Sequence, residues 1–174
     1  MADTEKFVIR HSTEEDLPRM LNIYAAARQF MADHGNPDQW GPHKWPPERL
    51  IKDDIAANES YVCCNEDGKV VGTFYFDKGV DIEPDYNETE NGSWIDGNVP
   101  VEYGVVHRIA TDGTKGVGSC CINWAFAQCG HIRIDTHEDN TVMQGMLKKN
   151  GFARRCTVYV EKERLPRVGF EKKG

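Results

Sequence analysis

The spacing of apolar residues along the chain predicts alternating strands and helices. Residues 6–11 form a strand-like run, and Ser12 with Glu15 has the spacing of a capping box, so we expect a helix to follow. The mostly apolar side of that helix recurs at three- and four-residue steps, at Leu17, Met20, Leu21, Tyr24, Arg28 and Met31. A short second helix is predicted after Pro47, and its apolar side is formed by Leu50, Ile51 and Ile55.

Downstream, the pattern changes to short strands separated by turns. The runs 60–66 and 69–76 flank Asp67-Gly68, a dipeptide that favours a type I′ hairpin. The later elements are expected to be strands at 103–111, 132–136, 152–160 and 167–172 and helices that open at Gly116 and Asp139. The predicted order is therefore strand, two helices, three strands, helix, strand, helix and two strands.

A loop rich in helix and strand breakers follows the first helix. Between His34 and Pro47 the 14 residues include four prolines, two glycines, Trp40 and Trp45. The two tryptophans either pin this loop to the body of the protein or line a substrate pocket beneath a lid. Both interpretations are open at this point, and we treat Trp40 and Trp45 as candidate substrate-contact residues.

The length and charge narrow the class of protein. A chain of 174 residues fits one domain, predicted to span residues 1–174, and the net charge of −7 argues against nucleic-acid or anionic-membrane partners. No apolar stretch approaches the ~20 residues that span a bilayer, and the first residues lack the layout of a secretory signal. The six cysteines show no C-x-x-C spacing, so reduced thiols and a cytoplasmic location are expected.

The acidic charge is concentrated in one segment, residues 77–102. It contains eight acidic residues and one lysine, and eight negatives less one positive equals the whole net charge of −7. One interpretation is a solvated acidic loop. The other is a rim that attracts a cationic substrate.

A glycine-rich turn after the strand at 103–111 carries the clearest chemical signal. Residues 113–118 read Gly-Thr-Lys-Gly-Val-Gly, and a helix follows, which exposes backbone N–H groups at the positive end of that helix. Such a turn suits a phosphate group, although a tight turn alone also needs glycine. A dinucleotide-binding domain is excluded, because the 39 residues after Asp135 (174 − 135) cannot supply its remaining strands.

Together these features resemble the GNAT superfamily of N-acetyltransferases: a strand, an R/Q-x-x-G-x-G/A-like turn, a helix, a strand, Asn140 and a helix ending Lys149-Asn150-Gly151-Phe152. The resemblance covers nearly the whole chain. It implies an α/β (α+β) fold with a central mixed, mostly antiparallel sheet of about seven strands, splayed between the fourth and fifth and flanked by about four helices. It also implies acetyl-CoA as co-substrate in that gap, and direct acetyl transfer to a primary amine in a ternary complex.

The resemblance implies roles for particular residues. Backbone groups of three residues would pair with the pantetheine arm: Arg108, Ile109 and Ala110. The pyrophosphate would be held by Lys115, Gly116, Val117, Gly118 and Ser119, and Asn140 would lie beside the CoA arm. Two positions depart from the family pattern: Gly113 replaces the Arg or Gln that opens the phosphate motif, and Leu147 replaces the tyrosine that often protonates the leaving thiolate.

Four residues are candidate proton carriers: Glu102, His107, Asp135 and His137. Among them, Asp135 is the preferred partner of the substrate ammonium, and no metal is expected. The acceptor would be a small-molecule or protein amine, and a homodimer stays open as an alternative to a monomer. A second hypothesis is a CoA-binding regulatory or sensory module with little turnover, motivated by Gly113 and Leu147.

Overall fold

The computed structural model describes residues 6–40, 44–97, 99–160 and 165–174. The strands within them are β1 Val8–His11, β2 Ser60–Cys64, β3 Val70–Val80, β4 Glu102–Thr111, β5 His131–Thr136, β6 Ala153–Val160 and β7 Leu165–Lys173. The α-helices are α1 Leu17–Asp33, α2 Glu48–Ala56, α3 Val117–Cys129 and α4 Thr141–Lys149. Short 3₁₀ turns occur at Glu14–Asp16 and Pro84–Asn87. This order matches the one predicted from the sequence.

The strands form one seven-stranded mixed sheet in the order β1-β2-β3-β4-β5-β7-β6. The β1/β2, β2/β3, β5/β7 and β6/β7 pairs are antiparallel, whereas β4 and β5 are parallel. The β4/β5 register consists of two pairs, Gly104 with Ile132 and Val105 with Arg133. β4 runs six residues beyond Val105, to Thr111. The predicted fold class, with its splay between the fourth and fifth strands, is confirmed.

The chain divides into two compact units, each built from two stretches. Unit 1 comprises the described residues of 1–76 together with 107–124, and unit 2 comprises those of 77–106 together with 125–174. The prediction of a single domain over 1–174 stays a prediction. None of the described helices is long and apolar enough to cross a membrane.

Unit 1 has an apolar core between its helices and strands. Met20, Ile23 and Tyr24 of α1 and Ile51 of α2 are almost fully buried, and they pack against Val62 of β2. Met20 and Tyr24 belong to the predicted apolar stripe of the first helix and face the core, as expected for an amphipathic helix, whereas Ile23 lies outside that stripe and is buried as well.

Unit 2 contains a group of buried charged side chains. The Glu171 carboxylate of β7 accepts from the Arg133 Nε at 2.9 Å, lies 2.6 Å from the His131 Nε2 and accepts from the Ile95 backbone N–H at 2.7 Å. Burial acts to raise the pKa of Glu171, but these donors outweigh it and lower the pKa below its usual value. The Arg133 guanidinium lies over the ring of Trp94, 4.9 Å from its centroid. Unit 2 thus contains a satisfied buried carboxylate.

Two local predictions are wrong in detail. The β2–β3 hairpin is not type I′, because Gly68 has a positive φ of 79° while Asp67 does not. The Asn65 side-chain oxygen accepts from the N–H groups of Asp67 and Lys69, and the Gly68 N–H donates to the Asn65 carbonyl. This arrangement is a type I turn followed by a left-handed glycine, the pattern of a three-residue hairpin loop.

The helix starts are also displaced from their predicted positions. Thr13 and Asp16 form the first cap, since the Thr13 N–H donates to Asp16 Oδ2 at 2.8 Å, whereas Ser12 bonds to Ser60. α4 begins at Thr141 rather than at Asp139.

Candidate active site

The backbone of β4 leaves the regular strand geometry at Arg108. Its φ of +53° lies in the left-handed region, which is costly for a residue with a side chain. The Tyr24 hydroxyl of α1 donates to the Arg108 carbonyl at 2.9 Å and so holds this irregularity in place. Burial raises the pKa of Tyr24, which keeps its phenol protonated as a donor. Ile109 and Ala110 follow directly on the same strand.

The glycine-rich turn that follows β4 is braced by Asp112. The Asp112 carboxylate accepts from the Thr114 N–H at 2.9 Å and from the Thr114 hydroxyl at 2.6 Å, and it forms an ion pair with Arg19 of α1 at 2.9 Å. Burial acts to raise the pKa of Asp112, but the bonds from Thr114 and the charge of Arg19 lower it on balance. The glycine-rich turn is therefore ordered by Asp112.

The turn presents an open surface at the start of α3. Gly113 and Gly116 have φ values of +93° and +85°, and Lys115 and Gly116 are exposed. A Cβ at Gly116 would approach only Phe7, at 3.9 Å, so the glycine is required by its backbone angle rather than by crowding from the described residues. Val117 is fully buried and anchors the first turn of α3, while Gly118 and Ser119 are half-buried.

A set of polar and aromatic side chains surrounds the Arg108 side chain in unit 1. We call Tyr24, Asp54, Tyr75, His107 and Arg108 the Arg108 cluster. The Arg108 Nε and Nη2 both lie 2.9 Å from Asp54 Oδ2, and the guanidinium stacks over the Tyr75 ring at 4.5 Å. Tyr75 also stacks with His107, the two ring centroids being 5.6 Å apart.

Sequence reasoning missed Asp54, although the sequence contained a signal for it. Asp54 falls between Ile51 and Ile55 on the apolar side of α2, and a carboxylate at such a position is buried with a partner or with a function. Burial raises the pKa of Asp54, against the opposing effect of the Arg108 charge. The position of an acidic residue on the apolar side of a short helix was therefore the sequence signal for Asp54.

Trp40 lies beside this cluster, and Trp45 packs against the apolar core of unit 1. Trp40 is buried and packs edge-on against Tyr24, with ring centroids 5.9 Å apart. Trp45 is partly buried against the same core, and its carbonyl accepts from Arg28 at 3.1 Å. The loop is thus pinned to unit 1, and Trp40 reaches the Tyr24 ring whose hydroxyl holds Arg108. Direct substrate contact by either tryptophan stays a prediction.

In unit 2, the Asp135 carboxylate accepts a short hydrogen bond of 2.5 Å from the Tyr86 hydroxyl. Tyr86 is fully buried, and burial raises its pKa well above the usual value, with the Asp135 charge acting in the same direction. The Trp94 indole N–H donates to the Tyr86 carbonyl at 2.7 Å and fixes that residue. Asp135 is therefore a half-buried carboxylate positioned by a tyrosine that the sequence did not indicate.

The other predicted residues of unit 2 are distributed along its elements. Glu102 is exposed at the start of β4, and its carbonyl lies 3.2 Å from the His131 Nδ1. The His137 Nδ1 accepts from the Asp139 N–H at 3.1 Å. Asn140 caps α4 by accepting from the Met143 N–H at 3.1 Å, and Leu147 is fully buried. In unit 1, by contrast, His107, Arg108, Ile109 and Ala110 are consecutive and lead into the glycine turn.

The acidic segment 77–102 is more than a solvated loop. Tyr86 and Trp94 are buried within unit 2, and Asp96 forms an ion pair with Lys173 at 2.8 Å. The bond to Lys173 lowers the pKa of Asp96. Glu90 accepts from the Tyr159 hydroxyl at 2.7 Å. The segment is anchored at several points, and attraction of a cationic acceptor stays a proposal.

Solved structures that align with this chain include acetyltransferases. A GNAT-family acetyltransferase from Streptococcus agalactiae aligns with a TM-score of 0.84 and 25% identity over 97% of this chain and 95% of its own. A GNAT-family acetyltransferase from Listeria monocytogenes aligns with a TM-score of 0.68 and 18% identity over 100% and 98%. A protein provisionally assigned as a phosphinothricin N-acetyltransferase aligns with a TM-score of 0.60 and 17% identity over 97% and 98%.

No protein-family model matches the chain, and neither does any curated protein sequence. The structural similarity nevertheless defines the class: the chain has the GNAT fold. Its resemblance to the GNAT superfamily of N-acetyltransferases is thereby confirmed. The acetyltransferase from Streptococcus agalactiae, at 25% identity, supports acyl transfer in general and, within it, an acetyltransferase.

Proposed function

We propose that the protein transfers an acetyl group from acetyl-CoA to a primary amine, directly and in a ternary complex. The observation that supports this most strongly is the run from the left-handed Arg108 through the glycine turn into α3, on a chain with the GNAT fold. In unit 1 this run combines irregular strand backbone, positive-φ glycines and a helix N-terminus in twelve consecutive residues, 108–119.

The residues of the turn suit a CoA pyrophosphate. The first amides of an α-helix have no intrahelical partner and carry the positive end of the helix dipole. The exposed Lys115 adds a positive charge beside them, and the glycines permit close approach of phosphate oxygens. Backbone groups of Arg108, Ile109 and Ala110 are proposed for the pantetheine arm. The role of Asn140, which belongs to unit 2, stays a prediction from the sequence.

Acetyl transfer requires removal of protons from the acceptor ammonium and protonation of the leaving thiolate. The C–N bond forms as the thioester C–S bond breaks, and the substrate ammonium releases two protons, one of which ends on the CoA thiol. We assign the first removal to Glu102 or His107, directly or through water, with His137 as the reserve candidate. The role of Asp135 as a partner of the ammonium stays a prediction from the sequence. Leu147 is apolar and buried, so water or another group protonates the thiolate.

A second candidate function is a CoA-binding regulatory module with little turnover. It is favoured by the burial of Leu147 where the family often has a tyrosine. A CoA thiol has a pKa close to that of cysteine, so loss of a general acid is expected to slow transfer less than loss of the base. We therefore favour turnover. We propose a cytoplasmic location, where the six described cysteines would stay reduced, as they are in the structure.

The cofactor assignment is tested by Gly118→Trp. The indole would occupy the proposed phosphate position at the start of α3, so acetyl-CoA binding measured by calorimetry is expected to disappear while the melting temperature stays near wild type. Ala127→Trp is the matched control, because it adds the same side chain to an exposed position nine residues further along α3. Wild-type affinity in folded Gly118→Trp would overturn the assignment. Binding without thiol release across a broad amine panel would instead favour the regulatory module.

A further inference from the structure

The ion pair between Arg108 and Asp54 is incomplete on both sides. Arg108 uses Nε and Nη2, and both approach the same oxygen, Asp54 Oδ2. Among the residues that the structure describes, none bonds to Arg108 Nη1 or to Asp54 Oδ1. Neither atom is enclosed without a partner, so both remain open to solvent. The ion pair therefore leaves one donor group of Arg108 and one acceptor atom of Asp54 available.

The pair is also held rigidly. Asp54 lies on α2 between buried isoleucines, and Arg108 rests on the Tyr75 ring with its backbone fixed by the Tyr24 hydroxyl. The side chains of Arg108 and Asp54 are 14% and 9% exposed, which shields them from bulk water but leaves them reachable. Charged groups in such a setting bind more strongly than surface charges, because their solvent screening is weak.

The buried pair of Arg133 and Glu171 in unit 2 is an ion pair in which both carboxylate oxygens are used. Arg133 and Glu171 are 3% and 0% exposed, and both Glu171 oxygens accept hydrogen bonds, from Ile95 and from Arg133. Asp54, in contrast, offers one oxygen to no described donor. A pair built only to hold α2 against β4 would gain from using both oxygens, as bidentate arginine–carboxylate pairs do.

An open donor and an open carboxylate oxygen in one ion pair match the two charges of a zwitterion. We propose that the acceptor amine is an α-amino acid, with its carboxylate bound by Arg108 Nη1 and its ammonium by Asp54 Oδ1. This inference rests on the proposed acetyl transfer and names the substrate class for it. Since Arg108 begins the backbone run assigned to the pantetheine arm, the acceptor would lie beside the acetyl donor within unit 1. Arg108 and Asp54 are then acceptor-binding residues.

The experiment compares each of the twenty L-amino acids with its own α-amide, using acetyl-CoA and free-thiol release. The amide keeps the ammonium and the side chain but removes the carboxylate charge. For the best amino acid, kcat/KM is expected to exceed that of its amide by about ten- to a hundred-fold, the size of one charge-assisted hydrogen bond. This ratio is measured on the wild-type protein and needs no variant to fold.

Two variants separate the role of Arg108, which binds the carboxylate, from that of Asp54, which binds the ammonium. Arg108→Lys keeps the charge but loses the planar fork, and it is expected to bring the acid-to-amide ratio close to one. Asp54→Asn should reduce kcat/KM for acid and amide alike, because both carry the ammonium. Arg10→Lys is the matched control, since Arg10 also pairs with an aspartate of unit 1, Asp16, at 2.7 Å. It should keep the wild-type ratio.

The outcomes distinguish this inference from the proposed function. Amides acetylated as well as the acids, or an unchanged ratio in folded Arg108→Lys, would overturn the amino-acid assignment and leave acetyl transfer intact. Thiol release with other amines but with no amino acid would do the same. No thiol release with any amine would overturn the acetyl-transfer proposal and this inference with it.

Discussion

At the level of single residues, the rate of transfer depends on removing a proton from the acceptor. An ammonium with a pKa near 10 leaves about one molecule in a thousand as free amine at pH 7. We expect Glu102→Ala or His107→Ala to lower kcat by about a hundred-fold and to alter the acidic limb of the rate profile, measured from pH 6 to 10 at saturating acetyl-CoA.

The control for this pair is His34→Ala, because His34 is an exposed histidine at the end of α1 that stacks only on Phe30 among the described rings. It should keep the wild-type profile. If both Glu102→Ala and His107→Ala keep the wild-type rate and acidic limb, neither residue is the base, and His137 becomes the next one to test.

Strand alternation was a poor guide to side-chain direction in β4. Regular alternation would put Glu102 and Arg108 on the same face, but the left-handed backbone at Arg108 interrupts it. That backbone is held by the Tyr24 hydroxyl, a contact between residues 84 positions apart in the sequence. Local sequence patterns do not predict such a contact, so they could not predict the Arg108 cluster.

At the level of the elements, the buried carboxylate on β7 links β5 to β7. Glu171→Gln is expected to lower the free energy of unfolding at pH 7 by about 3–5 kcal/mol, because it leaves Arg133 buried without its charge partner. Since the folded-state pKa of Glu171 lies below its unfolded value of 4.5, its contribution is present above that pH and is lost as the pH falls through the folded pKa.

The difference between wild type and Glu171→Gln should therefore narrow as the pH falls below about 4.5, measured by urea denaturation over a series of acidic pH values. Glu138→Gln is the control, because Glu138 is exposed and pairs with Arg154 at the surface. A gap that stays constant down to pH 2 would show that the charge of Glu171 does not stabilise the fold.

Element order was predictable because it depends on hydrophobic spacing, whereas turn geometry depends on single hydrogen bonds. The β2–β3 connection was recognised from Asp67-Gly68, but the Asn65 side chain selects a different turn by accepting two backbone N–H groups. The first cap shifted by one residue for a similar reason, since Ser12 is used by Ser60 across the sheet. In the first case a side chain takes the backbone N–H groups, and in the second the hydroxyl expected to form the cap is bonded to another side chain.

At the level of the whole molecule, the net charge of −7 comes from residues 77–102. A field of this kind attracts net positive charge and is screened over about 10 Å at 0.1 M salt. We expect the KM of an acceptor with a net charge of +1, such as an amino-acid amide, to rise with ionic strength. The KM of a zwitterionic amino acid should change much less, because its two charges nearly cancel at a distance.

The measurement is KM at constant pH from 20 to 500 mM sodium chloride, with potassium acetate as a second salt to exclude specific ion effects. A salt-independent KM for the cationic acceptor would remove the reason for assigning a steering role to the acidic segment. A steep dependence for the zwitterion alone would contradict the charge argument altogether.

The division of unit 1 into two stretches has a consequence for synthesis on the ribosome. Gly72 lies so close to Val117 that a Cβ on it would fall 2.5 Å from the Val117 Cγ1, yet the two residues are separated by 45 positions (117 − 72). While residues 77–106 are being translated, β3 has no cover at Gly72, and the first 76 residues cannot complete their core. The nascent chain therefore carries an unfinished apolar surface until α3 emerges, and we expect that surface to be open to a chaperone during this interval.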